Sequence, residues 1–315
     1  MKKYFWLFAG LSLITVCSFF LLKLFSQKEN PEQSITALQQ PSVYSVQLPE
    51  SLSFCGERVP LDHFMVREKL DRELTSNTFF HSSTILLLKR SNRWFPVIEP
   101  ILSKYGIPDD FKYLALVESG LQHVVSPSGA EGIWQFLPKT AREYGLEVNS
   151  GIDERYHPEK ATHAACQYLN DAYEKFANWT LAAAAYNTGI NSIALSLSEQ
   201  MADNYYDLFL NEETERYLFR ILALKIIFEN PEKYGFHLDN DDLYLPVPCQ
   251  TIKVTETIEN LAEFALLKKV TYNELKYFNP WLRQNYLPNL SGRTYYLKIP
   301  LEGFTSYSKL LEMQQ

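Results

Sequence analysis

Residues 114–136, LALVESGLQHVVSPSGAEGIWQF, place one carboxylate at the end of an apolar helical run. Glu118 closes the run, and Gly120 then offers the left-handed conformation at which helices commonly stop. The carbonyls at a helix C-terminus carry partial negative charge, and Leu114 and Val117 add apolar surroundings, so both disfavour the ionised carboxylate. We therefore expect a raised pKa for Glu118, as a proton donor in glycosidic bond cleavage requires. The alternative is a solvent-facing glutamate that merely ends a helix.

Helical spacing of apolar residues continues on both sides of this stretch, from about Asp62 to about Tyr234. Pro108-Asp109-Asp110 predicts the start of its helix, because aspartates stabilise the positive end of the helix dipole. Further helices are predicted after Pro138, over residues 158–176, over the alanine run at 179–186 and over about 213–228. Short loops between helices indicate one compact, mainly α-helical domain, with predicted bounds 61–240.

The pattern of the sequence changes after Pro246-Val247-Pro248. Residues 251–255 and 295–299 alternate as strands do, and two short helical patterns lie between them. We expect a small α+β module over residues 246–302, in the order strand, helix, helix, strand.

The first 28 residues open with Lys2 and Lys3 and carry no charge from Tyr4 to Leu22. That run is long enough to cross a bilayer, and its basic start favours an N-terminus on the cytoplasmic side. We expect an uncleaved membrane anchor over residues 1–28, with a cleaved signal peptide or a lipoprotein acylated at Cys17 as alternatives. Each places the rest of the chain outside the cytoplasm. Residues 29–60, rich in Gln, Ser, Pro and Glu, are predicted to form a linker.

Charge and cysteine content argue against several classes of protein. A formal net charge of -7, with no Lys/Arg block beyond the N-terminus, argues against nucleic acid as a partner. After residue 28 the cysteines are Cys55, Cys166 and Cys249, and no CxxC occurs, so neither a disulfide framework nor a zinc knuckle is expected. The histidines lack a metal-ligand spacing. We expect no metal and no cofactor.

Four motifs, in order across roughly residues 65–235, resemble the signature of the soluble-type lytic murein transglycosylases. The first is Glu118-Ser119-Gly120, and the second joins SPSGA at 126–130 to GIWQF at 132–136. The third is AAYNTG at 184–189, and the fourth is ETERY at 213–217. The resemblance is closest to the membrane-bound murein transglycosylase D group, which shares the Trp-Gln-Phe form of the second motif. It implies a goose-type-lysozyme-like helical fold.

The resemblance also implies a role for each motif residue. Glu118 would protonate the glycosidic oxygen between N-acetylmuramic acid and N-acetylglucosamine, and would then act as base on the muramoyl 6-hydroxyl, which closes a 1,6-anhydro ring. Ser119 would orient Glu118 or contact the glycan of the peptidoglycan strand. The other implied contacts with the glycan are Ser128, Gln135, Tyr186, Asn187 and Tyr217. Hydroxyls and amides can hydrogen-bond sugar hydroxyl and acetamido groups, while rings can stack on pyranose faces.

Several alternatives stay open. Glu131 stands where the family usually has a small residue; facing the groove, it would permit lysozyme-type hydrolysis, although we expect it to point to solvent. The C-terminal module resembles a LysM domain through VTYNEL at 270–275 but lacks the usual Gly-Asp at its first turn, so glycan anchoring and plain packing are both open. A glycan-binding scaffold without turnover is a further alternative. The sequence identifies no protein regulators.

Overall fold

The computed structural model describes residues 44–289 and 292–313. The predicted anchor over residues 1–28 and the first part of the predicted linker lie outside these residues. No helix within the described ranges is long and apolar enough to span a membrane. The described residues from Val46 onward belong to one compact unit.

Within the described residues, eight α-helices build the larger part of this unit. Their apolar faces meet in one core, in which α1 packs along α8 and α5 along α6. The alanine run of α6 is fully buried, and its small side chains let α5 approach closely. The helices are α1 Phe64–Phe79, α2 His81–Lys104, α3 Lys112–Ser119, α4 Pro138–Glu143, α5 Pro158–Phe176, α6 Trp179–Thr188, α7 Ile190–Gln200 and α8 Glu212–Glu229.

Most predicted helices are confirmed, and two segments differ. α5 has the predicted bounds, and α8 is one residue longer at each end than predicted. α6 continues two residues beyond its predicted end and stops at Gly189, whose φ is 96°. α7 follows at once and is not among the predicted helices, because its segment INSIALSLSEQ fully buries only Ile193 and carries several serines.

The predicted linker is wrong for its last part. Residues 53–58 form a hairpin of β1 Ser53–Phe54 and β2 Glu57–Arg58. Phe54 is fully buried against the ring of Phe111, with 5.3 Å between the ring centroids. The Glu57 carboxylate accepts a hydrogen bond of 2.9 Å from the backbone N–H of Thr180 and so caps α6. Because the partner of each residue lies far away in the chain, 123 residues in the case of Glu57 and Thr180, neither contact has a local sequence signal.

The C-terminal module has the predicted order of elements. β3 Cys249–Val254 pairs antiparallel with β4 Tyr295–Pro300, and α9 Leu261–Leu267 and α10 Tyr272–Phe278 lie between them in the chain. A last helix, α11 Tyr307–Glu312, is not among the predicted elements. The core of the module includes two residues of the helical body, Ile152 and Tyr156.

Candidate active site

Glu118 lies in the last turn of α3, which ends at Gly120. Gly120 has a φ of 59°, and its N–H donates to the Leu116 carbonyl at 2.9 Å, a left-handed cap that glycine adopts without strain. The neighbouring Ser119 is buried, and its Oγ lies 2.8 Å from the carbonyl oxygen of Ile133. Ser119 therefore fastens the end of α3 to the second motif. Of the two roles that the resemblance implies for Ser119, orienting Glu118 and contacting the glycan, this burial and this backbone bond favour the first.

The carboxyl of Glu118 is half-buried and meets α8. The hydroxyl of Tyr217, itself 3% exposed, donates a hydrogen bond to Oε1 of Glu118. The pKa of Glu118 is raised to about 7, mainly by burial and also by the charge of Glu213, while the Tyr217 hydrogen bond and the charge of Arg220 oppose the rise. The expected direction is confirmed. A carboxyl with this pKa can both give and take a proton near neutral pH.

Residues 126–136 form a wall of the groove beside Glu118. The Ser126 hydroxyl accepts from the N–H of Ala130 at 2.9 Å and lies 2.9 Å from Oγ of Ser128, so the turn holds Ser128 at the exposed rim. The indole N–H of the fully buried Trp134 donates to Oγ1 of Thr162 at 2.8 Å. This bond anchors the wall to α5.

Gln135 follows Trp134 in a left-handed conformation, with a φ of 49°. Such a conformation is uncommon for a residue with a side chain and persists where the surrounding structure holds it. Its Nε2 donates to the carbonyls of Val124 at 3.0 Å and Gly132 at 2.8 Å. Both amide hydrogens are used in this way, which leaves Oε1 as the acceptor of a residue that lines the groove.

Tyr186 and Asn187 reach the groove from the last turn of α6. The Tyr186 hydroxyl donates to the carbonyl of Trp134 at 2.9 Å, which leaves its oxygen as an acceptor. Oδ1 of Asn187 accepts from Oγ1 of Thr214 at 2.9 Å, so its Nδ2 is left as a donor. The groove thus presents both donors and acceptors, as binding of an acetamido group requires.

These side chains surround one open groove of about 480 Å³. The predicted site residues that the structure brings together there are Glu118, Ser128, Gln135, Tyr186, Asn187 and Tyr217. Sequence reasoning missed Glu213, Arg220 and Tyr168, which line the same groove. Glu213 and Arg220 stand four residues before and three after Tyr217 on α8, so the helical face of Tyr217 carries the signal that could have identified them.

Glu131 does not line the groove. Its carboxylate lies 3.1 Å from Nη2 of Arg155, a guanidinium that is 4% exposed. The expectation that Glu131 points to solvent is therefore wrong, because a buried cation beside it supplies its charge partner. The second acid of the groove is the exposed Glu213.

Two family models match the chain. The model described as Transglycosylase SLT domain matches residues 97–209, a range that contains α3, the groove wall and α6. The model described as Soluble lytic transglycosylase C-terminal LysM-like domain matches residues 250–303, which hold the C-terminal module.

Individual proteins resemble the chain more distantly. It is 27% identical over 237 residues to the membrane-bound lytic murein transglycosylase D of two strains of Escherichia coli, an alignment that covers 70% of this chain and 51% of the relative. The chain thus spans about half the length of the curated relatives it matches. An inactive mutant of the lytic transglycosylase Slt from Pseudomonas aeruginosa aligns with 48% of this chain and 26% of its own, at 21% identity and a TM-score of 0.36. The 70 kDa soluble lytic transglycosylase from Escherichia coli aligns with 44% and 24%, at 23% identity and a TM-score of 0.38.

Proposed function

We propose that the chain cleaves peptidoglycan between N-acetylmuramic acid and N-acetylglucosamine without consuming water. The premise is that the chain belongs to the family of soluble-type lytic transglycosylases. The product would carry a 1,6-anhydro ring on muramic acid. The observation that carries this proposal is the pairing of Glu118 with Tyr217 in the groove. A pKa of about 7 provides both the protonated and the ionised form of one carboxyl at neutral pH.

In the first half of the reaction, protonated Glu118 gives its proton to the glycosidic oxygen. The bond from that oxygen to the anomeric carbon breaks, and N-acetylglucosamine leaves with the new hydroxyl. The acetamido oxygen of the substrate stabilises the positive charge at the anomeric carbon. Asn187 and Gln135 support this step, because a donor at Nδ2 and an acceptor at Oε1 can orient the sugar and its acetamido group.

In the second half, ionised Glu118 takes the proton of the muramoyl 6-hydroxyl, whose oxygen bonds to the anomeric carbon. Burial favours the protonated form of Glu118, whereas Tyr217 and Arg220 favour the ionised form, so both halves have a supporting interaction. Attack from within the same sugar has a large positional advantage over attack by external water. The carboxyl ends the cycle protonated, as it began.

Digestion of purified peptidoglycan sacculi with the full chain tests the proposal. Mass spectrometry should find muropeptides with anhydro ends, each lighter by one water than the corresponding reducing end. Glu118→Gln should yield no new ends, while Glu68→Gln, the same change at an exposed position on α1, should cleave normally. Anhydro products from Glu118→Gln would contradict the proposal. A scaffold without turnover would keep its cellular function in Glu118→Gln.

Hydrolysis is a second candidate, because Glu213 places a second carboxylate in the groove. Two acids flanking the scissile bond are what ordinary glycosidases use. A hydrolase would produce reducing ends and lose activity in Glu213→Gln. The transglycosylase proposed here would keep anhydro products in that variant and change only the pH dependence of cleavage.

We also propose that the protein acts in the cell envelope, where peptidoglycan lies. The uncharged run from Tyr4 to Leu22 behind two lysines supports this location, as does the membrane-bound relative. Membrane fractionation of cells that express the full chain, followed by protease added from the periplasmic side, tests it. Recovery of the protein in the cytosol would contradict the location.

A further inference from the structure

The C-terminal module does not close its own hydrophobic core. Ile152 and Tyr156, which belong to the loop between α4 and α5, are 1% and 3% exposed and lie in the same cluster as Leu275 and Leu297 of the module. A module hinged on a free linker would bury its apolar face by itself. Here the loop of the helical body supplies part of that face.

Backbone pairing joins the two parts further. The N–H of Asp153 donates to the carbonyl of Trp281 at 2.9 Å, and the N–H of Arg283 donates to the carbonyl of Gly151 at 2.9 Å. Residues 281–283 of the module thus run beside residues 151–153 of the body as a short bridge-like pair. These bonds fix the register of the loop against the module.

Side chains reinforce the same contact. The guanidinium of Arg283 lies 4.0 Å from the centroid of the Tyr156 ring. The ring of Trp281 stacks on that of His157, at 5.8 Å and 26°. Beyond this pair, Nη1 of Arg293 lies 2.8 Å from the Glu147 carboxylate at the start of the loop.

The loop in turn holds the groove wall through Arg155. Its guanidinium bonds both oxygens of the buried Asp153, at 2.9 and 2.6 Å. Its Nη1 donates to the carbonyls of Gly129 at 3.0 Å and Phe136 at 3.1 Å, which lie in the wall on either side of Gln135. The backbones of Gly132 and Arg155 also lie close together, because a Cβ on Gly132 would lie 1.9 Å from the carbonyl oxygen of Arg155.

We propose that the LysM-like module is a brace for the groove. Its segment 281–283 fixes residues 151–153, Asp153 fixes Arg155, and Arg155 fixes the part of the wall over residues 129–136. Arg155 and Arg283 are thereby positioning residues, acting on glycan binding through the wall. Trp281 and Leu282 of this segment are 2% and 0% exposed, so these two residues of the module are not free to hold a separate glycan strand.

Hydrogen exchange on the full chain tests the brace without any cleavage assay. Arg283→Met keeps an apolar stem and removes the cation from the Tyr156 ring; losing such a contact at an exposed site should speed local opening about two- to fivefold. We expect faster amide exchange in residues 150–156 and also in residues 129–136. Leu267→Ala, on an 80% exposed position of α9, is the matched control and should change neither segment.

Faster exchange confined to residues 150–156, or unchanged exchange in both segments, would overturn the brace.

Cleavage kinetics provide a second test, which rests on the proposed function. Arg283→Met should raise KM for glycan strands with kcat nearly retained, because Glu118 and Tyr217 lie on α3 and α8, which pack against each other. A fall in kcat at constant KM would count against the brace. If the protein showed no cleavage of peptidoglycan, the proposed function would fail, and the exchange result would still decide whether the module braces the groove.

Discussion

Replacing Glu118 with glutamine should stabilise the folded protein above pH 7 and have little effect at pH 4. The carboxyl of Glu118 has a pKa of about 7 in the fold, against 4.5 for a glutamate in water. A carboxyl with a raised pKa stabilises the fold fully below its unfolded pKa, and that contribution is lost as pH rises through the folded pKa. Glutamine keeps an acceptor for the Tyr217 hydroxyl but never ionises.

The two pKa values set the size of the effect. Their difference, 7 − 4.5 = 2.5, corresponds to about 3.5 kcal/mol at roughly 1.4 kcal/mol for each pKa unit. Solvent reaches the groove side of the carboxyl and screens part of this energy. We therefore expect Glu118→Gln to raise the free energy of unfolding by about 2–3 kcal/mol at pH 8. For a chain of this size, such a gain raises Tm by roughly 4–10 °C.

Thermal unfolding of both proteins from pH 4 to pH 8.5 measures the difference. The Tm of Glu118→Gln should separate from that of the unsubstituted chain as pH rises from about 4.5 to about 7 and stay constant above. Glu68→Gln removes the same charge from an exposed position and should show no such pH-dependent gap. A Tm difference for Glu118→Gln that is flat across this range, or that grows toward low pH, would refute the reasoning.

Three further substitutions act on the same groove. Tyr217→Phe removes a hydrogen bond to the ionised Glu118, so the pKa of Glu118 rises and the basic limb of the cleavage pH profile moves up by about 1–2 pH units. Glu213→Gln removes a negative neighbour, so the pKa of Glu118 falls and the same limb moves to lower pH. Gly132→Ala puts a methyl group 1.9 Å from the carbonyl oxygen of Arg155 and should lower the free energy of unfolding by more than about 3 kcal/mol, measured by denaturation.

Tyr217→Phe and Gly132→Ala each have a matched control. Tyr205→Phe removes another buried hydroxyl, one that donates to the backbone carbonyls of Thr214 and Glu215, and should leave the pH profile in place. Gly129→Ala adds a methyl group with nothing within 4 Å, so it should cost only the strain of a left-handed residue, about 1 kcal/mol. If Tyr217→Phe left the basic limb of the pH profile in place, the role of Tyr217 would be contradicted. If Glu213→Gln moved that limb to higher pH, the role of Glu213 would be contradicted. Equal stability of the two alanine variants would contradict the packing argument.

Local patterns were sufficient for most of the secondary structure. α5 has the bounds that its proline start and apolar spacing predict, and the strands of the module follow their alternation. The same patterns placed Glu118 at the end of α3, because a helix-stopping glycine stands two residues later in the sequence. α7 escaped prediction, since its polar surface weakens the helical period.

Most of the helices, and the position of one acid at the end of α3, follow from neighbours within a few residues and are therefore readable in local patterns. What surrounds that acid depends on the packing of segments that are distant in the chain. Tyr217 reaches Glu118 across 99 residues of chain, and the burial that raises the pKa of Glu118 exists only after α3 and α8 pack together. Arg155 likewise pairs with Glu131 and holds the groove wall from a loop that the module fixes in place. Such contacts join segments distant in the chain, and a local period carries no information about which distant segment arrives beside it.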